Sequence, residues 1–392
     1  MTFEPSELKK DFPILEDGKV FLDNAATTQK PSKLVERIQR FYEEENSNTG
    51  RGLYDLANKA TSEYRKSRRT IAEFINAQSD ELVFVRNTTE AYNLLAYSLQ
   101  IEGKIVVSEM AHHSEQLPLR RKAEIENRDI NYLPTENGEI SLEAAEEIID
   151  QNTGLVSISH ISNVFGKENP VKDIIELAHE NDAYVVVDGA QSVPRKPIDV
   201  KQLDADLLTF SGHKMLGPTG IGVLYGKKQV LRDMKPYQVG GGMIKSVRKD
   251  EVRWEDPPEK FEAGTPNIAG AVGLAEAVRY LENIGMKNIE RHEKRLVREI
   301  EEGLNSIEGV ETLTENATSL VSFTTDFAHP HDVAEILNQN SIAVRAGHHC
   351  AQPQMESLNI AGATRVSPYL YNTSEDVEKF LEAVETVREV FE

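Results

Sequence analysis

Two short stretches, VVVDGAQ at 185–191 and FSGHK at 210–214, place an aspartate and a lysine just after runs of apolar residues. Such runs read as β-strands, and in α/β sheets ligands bind beyond the carboxyl ends of the strands. Asp188 and Lys214 can therefore converge on one site from two strand ends. The chemistry that needs both is that of pyridoxal 5'-phosphate: a lysine amine forms the Schiff base, and a carboxylate keeps the pyridine nitrogen protonated so that the ring accepts electrons. Taken singly, the two residues read equally well as a surface lysine and a capping aspartate.

Three further strand ends bear on that choice. NTTEAYN (87–93) opens a helical run, so the hydroxyls of Thr88 and Thr89 and nearby backbone N–H groups sit at a helix N-terminus, where a phosphate binds readily. A simple threonine N-cap is the plainer reading there. In MAHH (110–113), His112 can stack on a cofactor ring, although alone it is a loop histidine. SNVFG (162–166) offers Asn163 as a side-chain donor to a ring oxygen. Five strand ends that each present a polar group this cofactor uses are hard to explain as five caps.

The lone cysteine, Cys350, lies in AGHHCAQP at 346–353. Without a partner for an intramolecular disulfide it is a buried small residue, a metal ligand or a reactive thiol. Three consecutive residues cannot all face one ion if extended, and no second cysteine or HxxxH helix completes a ligand set, which weighs against metal.

The elements that must hold these groups follow from periodicity. Strands are expected at 81–86, 104–109, 154–160, 183–189, 206–210 and 221–226, alternating with helical patterns such as 141–151 and 171–182. This is the signature of a doubly wound α/β sheet. From about 271 the pattern changes to an amphipathic helix LAEAVRYLENIG, a second helix at 290–307, strands at 319–325 and 342–347, and a final helix from Ser374. We expect a large α/β domain at 21–270, and a smaller α+β domain made of 1–20 with 271–392 that carries the cysteine loop.

Charge excludes one class of partner. With 44 Lys and Arg against 65 Asp and Glu, the net charge of −21 repels a nucleic-acid backbone. No apolar stretch is long enough to span a bilayer, and the N-terminus lacks a basic start followed by an apolar run. With one unpaired cysteine, the cytoplasm is the expected compartment.

At this point the residues resemble a family. LDNAATTQKP, RNTTEAYN, ISHISNVFG, VDGAQ, FSGHK, GPTGIG, KFEAGTPN, AVRAGHHCAQP and TRVSPYLYNT occur in order along essentially the whole chain. They resemble the class V, fold-type I pyridoxal phosphate enzymes, and specifically the SufS-type (group II) cysteine desulfurases, which share an activity with selenocysteine lyases. The segment around Cys350 is what narrows the likeness.

The resemblance implies a fold-type I transferase that converts L-cysteine to L-alanine and leaves the sulfur on Cys350 as a persulfide. Lys214 would carry the cofactor, Asp188 would pair with its ring nitrogen and Gln191 with its ring hydroxyl. His112 would stack on the ring, and Asn163 would reach the cofactor or the substrate carboxylate. Thr88, Thr89, Ser211 and His213 would bind the phosphate, joined by Thr265 from the second subunit of a homodimer. Asn24, Ala26, Arg345 and Arg365 would bind substrate, with Arg365 clamping the α-carboxylate through its planar fork. Arg345 and the histidines would favour the Cys350 thiolate. A sulfur-acceptor protein and an iron–sulfur scaffold are the implied partners. The chain departs from the family pattern at Gly50, Tyr54, Asn87 and Ala111, and in SEQLPLRR (114–121) after the stacking histidine. The alternative is a selenocysteine lyase, or another class V aminotransferase or lyase with a shifted substrate.

Overall fold

The computed structural model describes residues 3–50 and 52–391. At its centre a seven-stranded sheet runs in the spatial order Leu82–Val85, Gly222–Gly226, Leu207–Ser211, Tyr184–Asp188, Thr153–Ser159, Lys104–Ser108, Ile130–Leu133. Only Gly222–Gly226 is antiparallel to its neighbours, so the other six strands end on the same side of the sheet.

Side chains alternate between the two faces because a strand has a period of two. On one face Phe84, Val106, Val156, Ile158, Val185, Val187 and Leu208 meet the helices Ser32–Glu44, Asp55–Phe74 and Ile268–Ile284. On the other, Val83, Ile105, Leu155, Val186 and Leu207 pack under Thr88–Ser98 and His113–Glu126. Ser157, Ser159 and Asp188 share that second face by the same alternation.

Around the large sheet the sequence pattern needs two corrections. Ile130–Leu133 is a strand that the apolar-run criterion passes over, because it lies at the sheet edge with Asn131 exposed. The helix expected to be amphipathic around 274–285 runs from Ile268 to Ile284 and is buried almost all round. It packs on Ser32–Glu44 and Asp55–Phe74, and the expected domain boundary at 270/271 falls inside it.

A third core gathers Leu296, Ile300, Phe323, Val366, Phe380 and Val384 between the helices Met286–Asn305 and Ser374–Phe391 and a four-stranded antiparallel sheet. The N-terminal segment ties in here: Val20–Phe21 pairs in parallel with Ile342–Ala343, and Lys9 meets Asp376 at 2.9 Å. The run expected as one strand at 342–347 is divided. Ile342–Ala343 pairs with the N-terminal segment, whereas Arg345–Gly347 pairs with Ala363–Val366 and leads into the cysteine loop.

One glycine is set by close approach. A Cβ on Gly222 would lie 2.9 Å from Asn87 Cα and 2.8 Å from the Phe210 carbonyl, both backbone atoms that cannot swing away. Gly222→Ala is expected to cost roughly 1–3 kcal/mol by overpacking, and to pull the Thr88 helix start away from Ser211. A lower urea midpoint with an unchanged slope would show it.

Candidate functional site

A cavity of about 350 Å³ opens where the strand ends meet the small sheet. Of the residues singled out from the sequence, Ala26, Thr88, Thr89, His112, Asn163, Asp188, Gln191, Ser211, His213, Lys214, Arg345, Cys350 and Arg365 line it.

Lys214 closes the short turn Gly212–Lys214 after Leu207–Ser211, and its burial pulls the amine down to about 8, with Asp188 opposing that shift and Arg365 and Arg195 adding to it. The turn is clamped from outside, because the His213 carbonyl accepts from the Thr28 backbone N–H at 3.0 Å and from the Thr27 and Thr28 hydroxyls at 3.1 Å each. Asp188 ends its strand, and one carboxylate oxygen accepts from Ala190 N–H at 2.8 Å. Burial raises the Asp188 carboxyl, and Lys214 and the Ala190 bond hold it down in part.

The helix Thr88–Ser98 is capped by Asn87, whose side chain accepts from Glu90 N–H. Thr88 N–H donates to Ser211 Oγ at 3.0 Å, and that hydroxyl in turn donates to Thr88 Oγ1 at 3.1 Å. Thr89 and Ser114 share a 2.7 Å hydroxyl contact that joins two helix starts. This is a cluster of hydroxyls at a helix N-terminus, the geometry a phosphate monoester requires.

His112 caps the helix His113–Glu126, with Nδ1 accepting from Ser114 N–H at 3.0 Å. Burial together with Lys214, His113 and Arg365 depresses its proton affinity to about 3, so the ring is a neutral imidazole. His213 is likewise lowered to about 4 by burial and by Lys214 and Lys30. Gln191 donates through Nε2 to the Ala25 carbonyl at 2.9 Å, which leaves Oε1 to accept.

The cysteine loop is held by three bonds to the large sheet's loops. Asn163 Nδ2 donates to the His349 carbonyl at 2.7 Å, His113 N–H to the Cys350 carbonyl at 2.7 Å, and Gln352 N–H to His113 Nε2 at 3.2 Å. Between them His349 and Cys350 both adopt left-handed backbone angles, φ 52° and 56°, and Cys350 is exposed.

Arg365 is fully buried on Ala363–Val366; its Nη1 donates to the Asn163 carbonyl at 3.0 Å, and burial lowers it to about 10. Arg345 forks onto Asp23, with Nη2 at 2.7 Å and Nε at 3.1 Å from its oxygens, and the same carboxylate lies 3.6 Å from Arg365. Asp23 is the counter-ion that motif reading passed over, although it lies inside LDNAATTQKP.

Two candidates lie elsewhere. Asn24 is buried but does not line the cavity: its amide nitrogen donates to the Phe21 and Ser367 carbonyls, and its oxygen accepts from Tyr371, so it joins the N-terminal segment to the chain after Ala363–Val366. Thr265 is exposed and lines a separate groove with Tyr64, Phe84 and Tyr237. The expected activation of Cys350 by histidine charge is also corrected for His349, which burial and Arg365 lower to about 3, so it brings no positive charge to the loop. Among the described residues no group of three or more metal-ligating side chains is assembled.

The residues fit pyridoxal phosphate. A poised amine, a buried carboxylate with an oxygen to spare, a neutral imidazole and a hydroxyl-lined helix start all face one cavity.

Residues 20–380 match the family model Aminotransferase class-V. A "Cysteine desulfurase" of Haloferax volcanii is 42% identical over 412 residues, covering 98% of this chain and 97% of the relative. Among solved structures, an apo cysteine desulfurase from Thermococcus onnurineus superposes with a TM-score of 0.94 at 40% identity, covering 98% of both chains. A cysteine desulfurase from Escherichia coli, in an S-sulfonic acid form, gives 0.93 at 34% identity over the full length of both.

Proposed function

The chain belongs to the Aminotransferase class-V family and is a pyridoxal phosphate-dependent cysteine desulfurase, and from that premise we propose which of its residues carry the reaction. The observation that carries the assignment is that Lys214 and Cys350, brought by separate sheets, line one cavity beside the buried Arg365.

Bound pyridoxal phosphate supplies an aldehyde that captures amino groups and a ring that withdraws electrons from Cα. Asp188 would face the ring nitrogen with its free oxygen, His112 would cover the ring face as a neutral imidazole, and Gln191 would hydrogen-bond the ring hydroxyl. Thr88, Thr89, Ser211 and His213 would hold the phosphate, and Thr265 would reach the site of the second subunit of a homodimer. Arg365 takes the substrate carboxylate, with Arg345, Asn163 and the Ala26 backbone completing the pocket.

Lys214, released as a free amine, removes the Cα proton. Cys350 Sγ, as thiolate, attacks the substrate sulfur. The S–S bond forms as the Cβ–S bond breaks, the electron pair returns toward Cβ, and protonation at Cβ, with the proton held by Lys214 returned to Cα, gives L-alanine. Sulfur remains on Cys350 as a persulfide, for hand-over to an acceptor protein and iron–sulfur cluster assembly in the cytoplasm. Among the described residues no helix is long and apolar enough to cross a membrane.

The test is to incubate the holoenzyme with L-cysteine with and without a thiol reductant. Equal alanine and sulfide when reductant is present support the assignment. Pyruvate in place of alanine would assign a lyase of shifted chemistry instead.

Arg365→Lys measures the carboxylate clamp. Lysine keeps the charge but loses the fork that spans Asn163 and Asp23. Hydrogen bonds to charged groups contribute about 1.5–3 kcal/mol, so kcat/KM for L-cysteine should fall by roughly 10- to 150-fold, mainly through KM.

A further inference from the structure

Behind the strand ends lies a second buried carboxyl that none of the roles above uses. Glu115 is 0% exposed, one turn into the helix that His112 caps. Ser157 Oγ lies 2.7 Å from one of its oxygens and Ser159 Oγ 2.9 Å from the other. Tyr92 on the helix Thr88–Ser98 reaches the same cluster, its hydroxyl 3.1 Å from Ser157 Oγ. Ser159 is the register partner of Asp188 on the adjoining strand and lines the cavity.

We propose that Glu115 is a positioning residue for the cofactor: it is a carboxyl buried behind the cavity wall beside Asp188, and its charge state sets the charge felt by Asp188 and Lys214. The groups that face it are Asp188 from Tyr184–Asp188, Ser157 and Ser159 from Thr153–Ser159, and Tyr92, with Lys214 beyond Asp188. No lysine, arginine or histidine donates a hydrogen bond or forms an ion pair with Glu115 among the described residues. Two carboxylates cannot both ionise cheaply in one buried space. Desolvation first, and Asp188 second, push Glu115 well above the usual carboxylate range, and the bonds from Ser157 and Ser159 oppose that shift only in part. Both serine hydroxyls donate to the carboxyl oxygens, and neither brings a positive charge to offset ionisation. When the proton leaves to solvent, a second negative charge forms beside Asp188 and raises the proton affinity of the lysine-bound cofactor and of Lys214.

The inference rests on the cofactor placement proposed above, so its test includes a measurement on the apoprotein. Because the folded state binds the Glu115 proton more tightly than the unfolded chain, wild-type stability falls as pH rises through the raised value. The melting temperature of apo Glu115→Gln should therefore gain on wild type between about pH 5 and about pH 9. In the holoenzyme the pH titration of the visible cofactor band should move to lower pH in Glu115→Gln, since no second carboxylate forms. Parallel melting profiles would overturn the neutral acid, and coincident visible titrations with diverging melting profiles would overturn its link to the cofactor. Should the variant not fold, infrared spectroscopy of wild type decides: a protonated-carboxyl band lost on raising the pH supports the assignment, and its absence at neutral pH overturns it.

Discussion

Lys214→Ala is expected to reduce alanine formation from L-cysteine by ~10³-fold or more, since a positioned general base alone contributes roughly 10²–10⁴-fold and this lysine also anchors the cofactor. The variant should still bind pyridoxal phosphate non-covalently through the Thr88–Ser211 hydroxyls and Asp188, none of which depends on the lysine. A pH dependence belongs to the same prediction. Burial lowers the amine to about 8 in the apoprotein, so the nucleophilic free base grows as pH rises through that value. The rate at which apo wild type captures the cofactor should climb with pH up to about 8 and level off above it. An ordinary exposed lysine would give a rate still rising well beyond that point. A rate independent of pH, or wild-type turnover by Lys214→Ala, would remove Lys214 from both roles.

Why so many of the residues singled out from the sequence line one cavity is a matter of where they lie. Asp188, Lys214, His112, Asn163 and Thr88 each come within a few residues of a strand's carboxyl end, and the strands are buried runs that the apolar pattern marks without ambiguity. Once the strands are located, their ends are located. Asp23 escaped because its importance is tertiary: it follows the short strand Val20–Phe21, and only folding brings Arg345 and Arg365 to it across more than three hundred residues. Glu115 escaped for the opposite reason. An acid in a helix first turn has a sufficient local explanation in the helix dipole, and nothing local tells that serines from the sheet enclose it. Asn24 lies outside the cavity because the motif that contains it lines the cavity through its neighbours Ala25 and Ala26, whereas its own amide faces the chain after Ala363–Val366.

The fold errors have the same character. Ile130–Leu133 is half-exposed at an edge, so its composition is mixed. The helix Ile268–Ile284 carries charges only toward its C-terminal half, and one of these, Glu276, is itself buried. A face that is covered on all sides leaves no polar stripe to read.

Cys350→Ser is expected to leave cofactor colour and melting temperature near wild type while sulfide release falls by ~10² or more, the scale of losing a positioned reacting group. The structure makes this substitution clean. The bonds that hold the loop run to the His349 and Cys350 carbonyls and from Gln352 N–H, and none involves the thiol. Two consecutive residues in left-handed conformations cost roughly 1–2 kcal/mol each, and these bonds are what keep them there. Serine inherits the same constraint, with a hydroxyl of similar size where the sulfur was. What changes is chemical: an alcohol is hardly ionised near neutrality and forms no stable bond to the substrate sulfur, so the Cβ–S bond has no acceptor into which to break. Lys214 and Arg365 keep their places in the variant, so L-cysteine should still perturb the visible spectrum while alanine fails to accumulate. Sulfide release at the wild-type rate would show that the sulfur leaves by a route that does not pass through Cys350.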